Sequence, residues 1–340
     1  MADLTEFNEE LKKKNLRGYW ETLQGDVYRE PASSFQPHLW KWSEVYDAIN
    51  KAGELVGLDA SFRRVLQLCN PSLKASACHT LVLNLQLLKP GEHALAHRHT
   101  NGAIRFVIKG RGAHVVVEGE SFEIGEGDFL TTPNWTWHDH INDSDQTTIW
   151  LDGLDSPLVR MLEIGFHEPL KEKKQAISKP AGNSLYEFSP IRPNWVRVDS
   201  IQPPAYSYRW KDTERVLKCV GERPGDPFDG ILLEYANPLT GGPTLPTMSC
   251  AIQMIRPGEK TRSHRHTSTA LYHVFRGRGA TVIGATRYEW ESGDSFVIPL
   301  WHFHRHENLI DQEAILFVMT DKPAMDALGF YREQAEDQRP

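Results

Sequence analysis

The chain has 340 residues, of which 40% are hydrophobic and 24% are charged, as is ordinary for a globular protein. This length is too great for one compact core, so two domains are expected. The formal net charge of −7 argues against a nucleic-acid partner, because phosphate binding requires a basic face.

Patterns typical of helices lie near the two ends of the chain, and short strands fill the rest. In chain order, helices are expected at residues 3–15 and 40–56, and in "KPAMDALGFYREQ" near the C-terminus. The runs between them, such as "LVLNLQLL" and "AHVVVEG", are apolar or alternating and are separated by Gly, Pro, Asn and Asp. This pattern indicates small antiparallel sandwiches or barrels.

An internal repeat organises these strands. "PGEHALAHRHTNGAIRFVIKGRGA" from residue 90 resembles "PGEKTRSHRHTSTALYHVFRGRGA" from residue 257, and "GDFLTTPNWTWHDHIND" from residue 127 resembles "GDSFVIPLWHFHRHENL" from residue 293. The first two blocks lie 167 positions apart and the second two lie 166 apart, so the register is kept. A duplicated domain is therefore predicted.

The repeat predicts the domain organisation of the chain. The expected parts are an N-terminal helical segment at 1–60, an N-terminal copy at 61–167, a linker at 168–210, a C-terminal copy at 211–320 and a C-terminal helical tail at 321–340. We expect catalysis in the N-terminal copy, for reasons given below.

The cysteines and the hydropathy pattern bear on the cellular compartment. There is no C-x-x-C spacing among the four cysteines, which are Cys69, Cys78, Cys219 and Cys250. Reduced thiols are therefore expected. The N-terminus lacks an apolar signal core and no run of 18 apolar residues occurs, so a cytoplasmic protein without a membrane partner is expected.

Each copy carries two histidine blocks at matched spacing. An H-x-H pair follows a glycine by five residues, and a G-x5-P-x-W-x2-H-x3-N block comes later. Alternate residues of a strand face the same way, so both imidazoles of a pair can face one interior. A third histidine from another strand completes a facial set suited to Zn, Fe, Cu or Ni, with positions left open for substrate. The candidate ligands are His97, His99 and His138, with His264, His266 and His304 as the second set.

The other histidines are expected to have different roles. His140 lies two residues after His138, which makes it a candidate for acid–base work in the same pocket. Ordinary core or surface roles are expected for His38, His79, His93, His114 and His167.

The two blocks resemble the two cupin motifs, and their duplication resembles a bicupin. The predicted fold is therefore mainly β, with two tandem antiparallel cupin barrels and flanking helices. The commoner cupin form places a carboxylate four or five residues after H-x-H. Here those positions hold Ala103 and Ile104, and then Ala270 and Leu271, so a manganese site with three histidines and one glutamate is not expected.

Further strings resemble the gentisate 1,2-dioxygenase family, which includes salicylate and 1-hydroxy-2-naphthoate dioxygenases. They include "RRVLQLCNP" at 63 and "WLDGLDSPLV" at 150, and the resemblance spans about residues 10 to 330. It implies Fe(II), O2 and opening of the C1–C2 bond of a hydroxylated aromatic acid by an extradiol-type, homotetrameric enzyme. Gentisate, giving maleylpyruvate, is the leading substrate; salicylate, substituted salicylates and 1-hydroxy-2-naphthoate stay open.

An aromatic acid of this kind needs a cationic partner for its carboxylate, and guanidinium is the best geometric match. Arg105 lies an even number of residues from His97 and His99, so on an unbroken strand it faces the same cavity. A bulge at Gly102 would spoil that parity. The family resemblance also places a carboxylate-binding arginine here.

Other pocket residues are expected on the same basis. Arg63 and Arg64 are candidates for closing the pocket, and Gln86 stands where the family has a residue that can hydrogen-bond the substrate. Asp152 matches a family pocket acid, although a carboxylate in "DGLD" can also cap a turn. The sequence does not choose between His140 and Asp152 for proton handling.

Two positions on the strand of Gln86 depart from the family pattern. The family usually has an aromatic residue at Val82 and a small one at Asn84, and both precede Gln86 at even spacing. The change frees room and adds a hydrogen-bonding amide. A pocket that accepts an extra or polar ring substituent is therefore predicted, unless a bulge turns these residues away.

The repeat also predicts a division of labour. At the matched offsets Arg105 corresponds to Tyr272 and Asp152 to Val318, so the C-terminal copy keeps the histidines but lacks the carboxylate anchor. Two rival interpretations remain, namely another bicupin enzyme such as a sugar-phosphate isomerase or decarboxylase, and a non-catalytic bicupin that binds a metal or ligand.

Overall fold

The computed structural model of the chain describes residues 4–21, 30–58, 63–189 and 203–338. The chain divides into two units, residues 1–32 and 33–340. The first unit contains helix α1 (Thr5–Lys13) and a 3₁₀ turn at Tyr19–Glu21. Within it, Trp20 Nε1 donates a hydrogen bond to Asn8 Oδ1 at 3.1 Å. The helix expected at residues 3–15 is thus present in a slightly shorter form.

The second unit consists mostly of β-strands. It begins with β1 (His38–Trp40) and helix α2 (Trp42–Leu55). The strands of the N-terminal copy are β2 (Val65–Gln67), β3 (Val82–Leu88), β4 (His93–His99), β5 (Ala103–Lys109), β6 (Arg111–Val117), β7 (Glu120–Gly125), β8 (Phe129–Thr132), β9 (His138–Asn142), β10 (Thr148–Leu154) and β11 (His167–Pro169).

The chain then passes to the C-terminal copy. The elements on the way are α3 (Ser156–Met161), α4 (Asn183–Phe188), β12 (Ser207–Tyr208) and α5 (Trp210–Val220). The elements of the C-terminal copy are β13 (Ile231–Glu234), β14 (Ser249–Ile255), β15 (His264–His266), β16 (Ala270–Arg276), β17 (Arg278–Ile283), β18 (Thr286–Glu291), β19 (Ser295–Ile298), β20 (His304–Glu307), β21 (Ala314–Thr320), α6 (Lys322–Ala327), β22 (Glu333–Ala335) and a 3₁₀ turn at Glu336–Gln338.

Each copy is made of two antiparallel sheets. In the N-terminal copy the strand orders are β12-β8-β5-β10-β3-β2 and β11-β4-β9-β6-β7. In the C-terminal copy they are β1-β19-β16-β21-β14-β13 and β18-β17-β20-β15-β22. The predicted fold class, mainly β with two tandem antiparallel domains, is confirmed. None of the helices in the described ranges is long and apolar enough to cross a membrane.

The alternation of side chains along β5 shows where the cores lie. Ile104 and Phe106 belong to a core shared with the C-terminal copy, where Phe106 stacks on Phe317 at a centroid distance of 4.4 Å. Val107, one position on, belongs instead to the core inside its own barrel. Because successive strand residues face opposite ways, Arg105 faces the interior with Val107.

Each copy takes an edge strand from the segment that comes before the other copy in the chain. Strand β1, before the N-terminal copy, pairs with β19 of the C-terminal copy, and β12 pairs with β8 of the N-terminal copy. The two segments are held by the Gly-Asp pairs of the repeat, at residues 293–294 and 127–128. Asp294 Oδ1 accepts the N–H of Trp42 at 2.7 Å, and Asp128 Oδ1 accepts that of Trp210 at 2.8 Å.

The glycine of each Gly-Asp pair has two reasons to be glycine. Gly127 and Gly293 have positive φ angles of 81° and 93°, where a side chain is strained. A Cβ at either position would also overlap the indole of the docked tryptophan, Trp210 or Trp42. The docking of these segments therefore explains why both copies of the repeat have Gly followed by Asp.

Two buried aspartates join the copies in the same reciprocal way. Asp155 accepts hydrogen bonds from the N–H of Gly102 at 3.0 Å and from Thr247 Oγ1 at 2.6 Å. Asp321 accepts them from the N–H of Thr269 at 2.7 Å and from Thr80 Oγ1 at 2.6 Å. Each carboxylate thus bonds one copy to the other.

The C-terminal region and the predicted linker differ from their predictions. The predicted C-terminal helix ends at Ala327, because Gly329 takes a positive φ of 73°, and Glu333–Ala335 instead forms a strand beside β15. Within the predicted linker, Pro169 still belongs to β11, and residues 190–202 lie outside the described part of the chain.

The buried Asp321 should make stability depend on pH. Burial raises its pKa to about 6, from a usual value of about 3.9. The native state therefore holds this proton more tightly than the unfolded state, so the free energy of unfolding falls as pH rises from about 4 to about 6. The free energy of unfolding of Asp321→Asn relative to that of wild type should therefore be higher at pH 7.5 than at pH 4.5, by about 2 kcal/mol.

Urea unfolding at the two pH values measures this difference. Asp326→Asn, on the surface of the adjacent helix, controls for the loss of one carboxylate. An equal effect of Asp321→Asn at both pH values would show that the buried carboxylate is not responsible.

Candidate active site

Three histidines of the N-terminal copy meet inside its barrel. Strand β4 supplies His97 and His99, and its neighbour β9 supplies His138, which pairs directly with His97. One ligand nitrogen from each imidazole lies within 4.8 Å of those of the other two. Spacing alone predicted this set, and the structure brings its members together.

The donor set fits a divalent metal. His99 Nδ1 lies 2.9 Å from the carbonyl of Asn101, and His138 Nδ1 lies 3.0 Å from that of Thr136, which leaves the Nε2 atoms for a metal. Burial, with repulsion from nearby cations, lowers the pKa of His97 to about 2, and burial lowers that of His99 to about 4. These imidazoles are therefore neutral near pH 7, which is the form that binds metals.

Arg105 and Asp152 face these histidines from the other sheet. They are direct partners on β5 and β10, with 3.2 Å between Arg105 Nε and Asp152 Oδ1. Arg105 also donates to Thr132 Oγ1, and its Nη2 lies 3.3 Å from His140 Nε2. All four side chains are buried. Arg105 therefore lies between a carboxylate and a neutral acceptor beside the histidine set.

The position of Arg105 is as predicted, but the reason given for it is wrong. The chain turns after His99, and β5 begins at Ala103 in the opposite sheet. No unbroken strand connects the arginine with His97, so parity cannot relate their directions. Arg105 faces the histidines because the two sheets face each other.

Arg63 brings a second guanidinium to the site. Its Nη2 lies 2.6 Å from His97 Nδ1 and 3.1 Å from the carbonyl of Leu95. Burial and repulsion from Arg105 lower its pKa to about 9, while Asp152 acts in the opposite sense. Its Nη1 is buried and has no hydrogen-bond partner within the described residues.

The electrostatics of the cluster call for an anion. Arg63 and Arg105 carry two positive charges, and Asp152 acts on both of them. Asp139 also acts on Arg63, but its oxygens are bonded to His93 and Gln175. Buried charges are stable when paired, and within the described residues no carboxylate is bonded to Arg63, so the cluster can accept a further anion. A carboxylate bound beside the histidines would provide it.

Three further predicted residues lie on β3. Asn84 is the cross-strand partner of Asp152, and Gln86 is that of Trp150. Asn84 Oδ1 and Gln86 Nε2 are buried without a partner in the part of the chain that the structure describes. Val82 is also buried and, at even spacing, lies on the same strand face. The polar atoms are free to bond a ligand.

Arg64, in contrast, does not join the site. Its guanidinium makes two bonds to the carboxylate of Glu92, at 2.7 and 2.8 Å, and donates to the carbonyls of Val56 and Leu87. These contacts connect the start of β2 to the C-terminal end of α2 and to the turn between β3 and β4. The prediction that Arg64 closes the pocket is wrong, because neighbouring residues of a chain point in different directions.

His167, for which an ordinary core or surface role was predicted, is a neighbour of the site. Strand β11 pairs His167 with His99, and the ring of His167 stacks on that of His97 at 5.1 Å. Only the repeat offered a signal, since the corresponding position in the C-terminal copy, Glu333, also adjoins a histidine.

The C-terminal copy holds its own histidine set in different surroundings. His264, His266 and His304 also have ligand atoms within 4.8 Å of one another. Tyr272 pairs with Val318, as Arg105 does with Asp152. Tyr272 stacks on Phe296 at 4.7 Å instead of binding a carboxylate. As predicted, the position that corresponds to Arg105 therefore holds no cation that could bind a carboxylate.

The comparisons with known proteins agree with this architecture. The cupin domain model matches residues 84–153 and 251–320. A 5-aminosalicylate 1,2-dioxygenase of a Comamonas species is 40% identical, over 98% of this chain and 91% of the relative. Gentisate 1,2 dioxygenase 1 of Aquipseudomonas alcaligenes is 37% identical, over 96% and 95%.

A solved structure shows the same fold. Salicylate 1,2-dioxygenase of Pseudoaminobacter salicylatoxidans, as an adduct with gentisate, superposes with a TM-score of 0.90 at 32% identity, covering 99% of this chain and 95% of that one. Fold and site thus define a bicupin with a cluster of three histidines in each copy. The chain belongs to the gentisate, salicylate and 1-hydroxy-2-naphthoate 1,2-dioxygenase family of ring-cleaving enzymes.

His138 should be needed for metal binding in the N-terminal copy. His138→Ala removes one of three imidazole ligands, so it should abolish ring cleavage and lower the iron content by about one equivalent per chain. Elemental analysis of iron-loaded, desalted protein measures the content. Full activity at wild-type iron content would show that these histidines are not the ligands.

Arg105 should be needed for the substrate and not for the metal. Arg105→Ala removes the cation that pairs with a buried carboxylate, which should cost roughly 2–5 kcal/mol in kcat/KM. Iron content should stay unchanged. Because Asp152 is then left unpaired, Arg105→Ala with Asp152→Asn serves as a second variant that avoids a lone buried charge. Loss of iron in both variants would mean that Arg105 is structural.

Proposed function

We propose that the N-terminal copy holds Fe(II) through His97, His99 and His138 and opens the C1–C2 bond of a 2-hydroxylated aromatic acid with O2. The observation that carries this proposal is the anion-deficient cluster of Arg63, Arg105 and Asp152 beside the histidine set. Bound iron would supply the redox path between the ring and O2. Both oxygen atoms enter the product.

Gentisate, cleaved to maleylpyruvate, is the substrate that we propose first. Its carboxylate would pair with Arg105, and its hydroxyl groups offer donors to the free acceptors of the pocket. The name extradiol-type, expected from the resemblance, is not supported. The bond cleaved joins a carboxyl-bearing carbon to a hydroxyl-bearing carbon, and no pair of adjacent hydroxyls is involved.

5-Aminosalicylate is a second candidate substrate. Asn84 and Asp152 are partners across β3 and β10, and both offer acceptor oxygens: Asn84 Oδ1 has no hydrogen-bond partner in the described chain, and Asp152 Oδ1 is ion-paired with Arg105 at 3.2 Å. An amino group at ring position 5 is a donor that suits such acceptors. The Comamonas relative named for this compound, at 40% identity, supports the same choice.

The internal repeat supports a place for Val82 and Asn84 in the pocket. Their counterparts, Ser249 and Ala251, line a cavity of about 260 Å³ beside the histidines of the C-terminal copy. The same strand position in the N-terminal barrel would face its own histidines. We therefore keep the proposal that these two residues set substrate range.

Asp152 is the better candidate for handling protons. Burial raises the pKa of Asp152, although both arginines oppose the shift, so its carboxyl can hold a proton closer to neutral pH. Burial and repulsion from Arg105 hold the pKa of His140 well below its usual range. We propose that neutral His140, as a hydrogen-bond acceptor, positions Arg105.

The remaining proposals concern the whole protein. Free thiols at all four cysteines support the proposed cytoplasmic location.

Exposed apolar side chains follow the last long strand of each copy, Met161 and Phe166 in one and Leu328 and Phe330 in the other. They support self-association, and we propose the homotetramer that the family resemblance implies. Mass photometry would measure it.

An oxygen-electrode screen tests the proposed function. Iron-loaded protein should consume O2 with gentisate or 5-aminosalicylate, and more slowly with salicylate and 1-hydroxy-2-naphthoate. Oxalate and a hexose phosphate represent the rival decarboxylase and isomerase. Turnover of either rival substrate, or no O2 uptake with any aromatic acid, would contradict the proposal.

Val82 and Asn84 should set the ranking of substrates. Val82→Trp with Asn84→Gly narrows the pocket and removes the amide, so the preference for 5-aminosalicylate over salicylate should fall roughly tenfold in kcat/KM. Ser249→Trp with Ala251→Gly makes the same exchange in the C-terminal copy and is the matched control. An unchanged ranking in the first variant would show that these positions do not determine specificity.

A further inference from the structure

The histidine set of the C-terminal copy has its metal-facing nitrogens prepared. Contacts to Glu333, to the carbonyl of Ser268 and to the carbonyl of His302 hold the Nδ1 atoms of the three rings, at 2.8 to 2.9 Å. The Nε2 atoms of His264 and His304 are buried and lack a partner in the described ranges. Unpartnered buried nitrogens that converge in this way are suited to a metal ion.

A carboxylate lies at the edge of this set. Asp229 Oδ1 is 3.9 Å from His264 Nε2, the nitrogen that faces the centre. The backbone carbonyl of Asp229 accepts a hydrogen bond from Gln253 Nε2 at 2.8 Å, and its N–H donates to Asp226 Oδ1 at 3.1 Å. The loop therefore holds Asp229 in place by its main chain, which leaves its carboxylate available as a ligand.

A second carboxylate orients His264 from behind. Glu333 Oε1 lies 2.9 Å from His264 Nδ1, and Tyr331 donates its hydroxyl to Glu333 Oε2 at 2.9 Å. A carboxylate on the far nitrogen of a ligating histidine fixes the ring and raises its basicity. Glu333 belongs to β22, so the end of the chain completes this arrangement.

The electrostatics are opposite to those of the N-terminal copy. The segment that enters β2 carries Arg63 against His97, whereas the segment that enters the matching strand β13 carries Asp229 against His264. The cation Arg105 is replaced by Tyr272. Cations nearby weaken the binding of a metal ion, and carboxylates strengthen it.

We propose that the C-terminal copy is a second divalent-metal site, with His264, His266, His304 and Asp229 as ligands. Glu333 is a positioning residue for His264. The site accepts a first-row divalent ion, but it does not hold an aromatic acid, because no arginine stands among the described residues of its cavity wall and the lysine there, Lys322, lies 3.8 Å from the carboxylate of Asp326. It binds the ion more tightly than the N-terminal site does when no aromatic acid is present.

Single-site variants of the full chain test this proposal with Mn²⁺ alone as the probe. Chelated protein is titrated, and free Mn²⁺ is followed by electron paramagnetic resonance. Wild type should bind two ions per chain, His138→Ala one, and the double variant with His304→Ala none. The ion in His138→Ala should be held at least about tenfold more tightly than the ion in His304→Ala. No ion in folded His138→Ala, or weaker binding there, would overturn the proposal.

Asp229 is tested within the His138→Ala background. Asp229→Asn should weaken Mn²⁺ binding at least about tenfold, the lower end of the effect of losing even an outer partner of a ligand. Glu234→Gln removes a charge from the same cavity wall at an exposed position and should leave the affinity unchanged. Equal affinities for the two variants would remove Asp229 from the ligand set.

These outcomes do not depend on the proposed reaction. The His138→Ala background lacks one of the three N-terminal ligands, and Mn²⁺ is titrated without an aromatic acid, so turnover plays no part in the measurement. Thermal unfolding with chelator present confirms that each variant is folded. Failure of the second site would leave the oxygen-electrode result as it stands, and the reverse also holds.

Discussion

A buried cluster with two guanidiniums and one carboxylate is the constraint on which the N-terminal site depends. Arg105 and Asp152 are cross-strand partners with 3.2 Å between Nε and Oδ1, and Arg63, in the segment before β2, has no carboxylate bonded to it within the described residues. Leaving a buried charge unpaired is expensive in free energy, so the site is built to accept an anion. Burial, with repulsion from the two arginines, lowers the pKa of His140 and keeps it a neutral acceptor for Arg105. The proposed substrate choice and proton handling thus depend on the same buried groups.

Few side chains distinguish the proposed catalytic site of the N-terminal copy from the proposed metal site of the C-terminal copy. Both copies keep the same strand register and the same histidine spacing. On the facing sheet, the row of Arg105, Asp152 and Asn84 becomes Tyr272, Val318 and Ala251. Arg105 in the polar row can pair with a carboxylate. In the apolar row Tyr272 stacks on Phe296 instead. Exchanged segments and the Asp155 and Asp321 contacts hold the copies together, so one barrel can diverge while the other maintains the fold.

The sequence predicted the features that repeat or alternate. Duplication, strand periodicity and histidine spacing can be read directly from the sequence, and together with the resemblance to the cupin motifs they were enough for the fold class and for both histidine sets. Features that depend on how distant segments meet were beyond such patterns. Arg105 faces the histidines across two sheets and not along one strand, and the adjacent Arg63 and Arg64 diverge to different partners. His167 reaches His97 only because β11 pairs with β4. The exchange of β1 and β12 between copies likewise involves pairings that no local pattern contains.

One aromatic acid should bind per chain, and it should bind in the N-terminal copy. Anaerobic calorimetric titration of gentisate into iron-loaded protein tests this most directly, since no turnover obscures the binding. We predict a stoichiometry of one per chain in wild type and no binding in His138→Ala. Two equivalents per chain, or binding that survives in His138→Ala, would contradict the account.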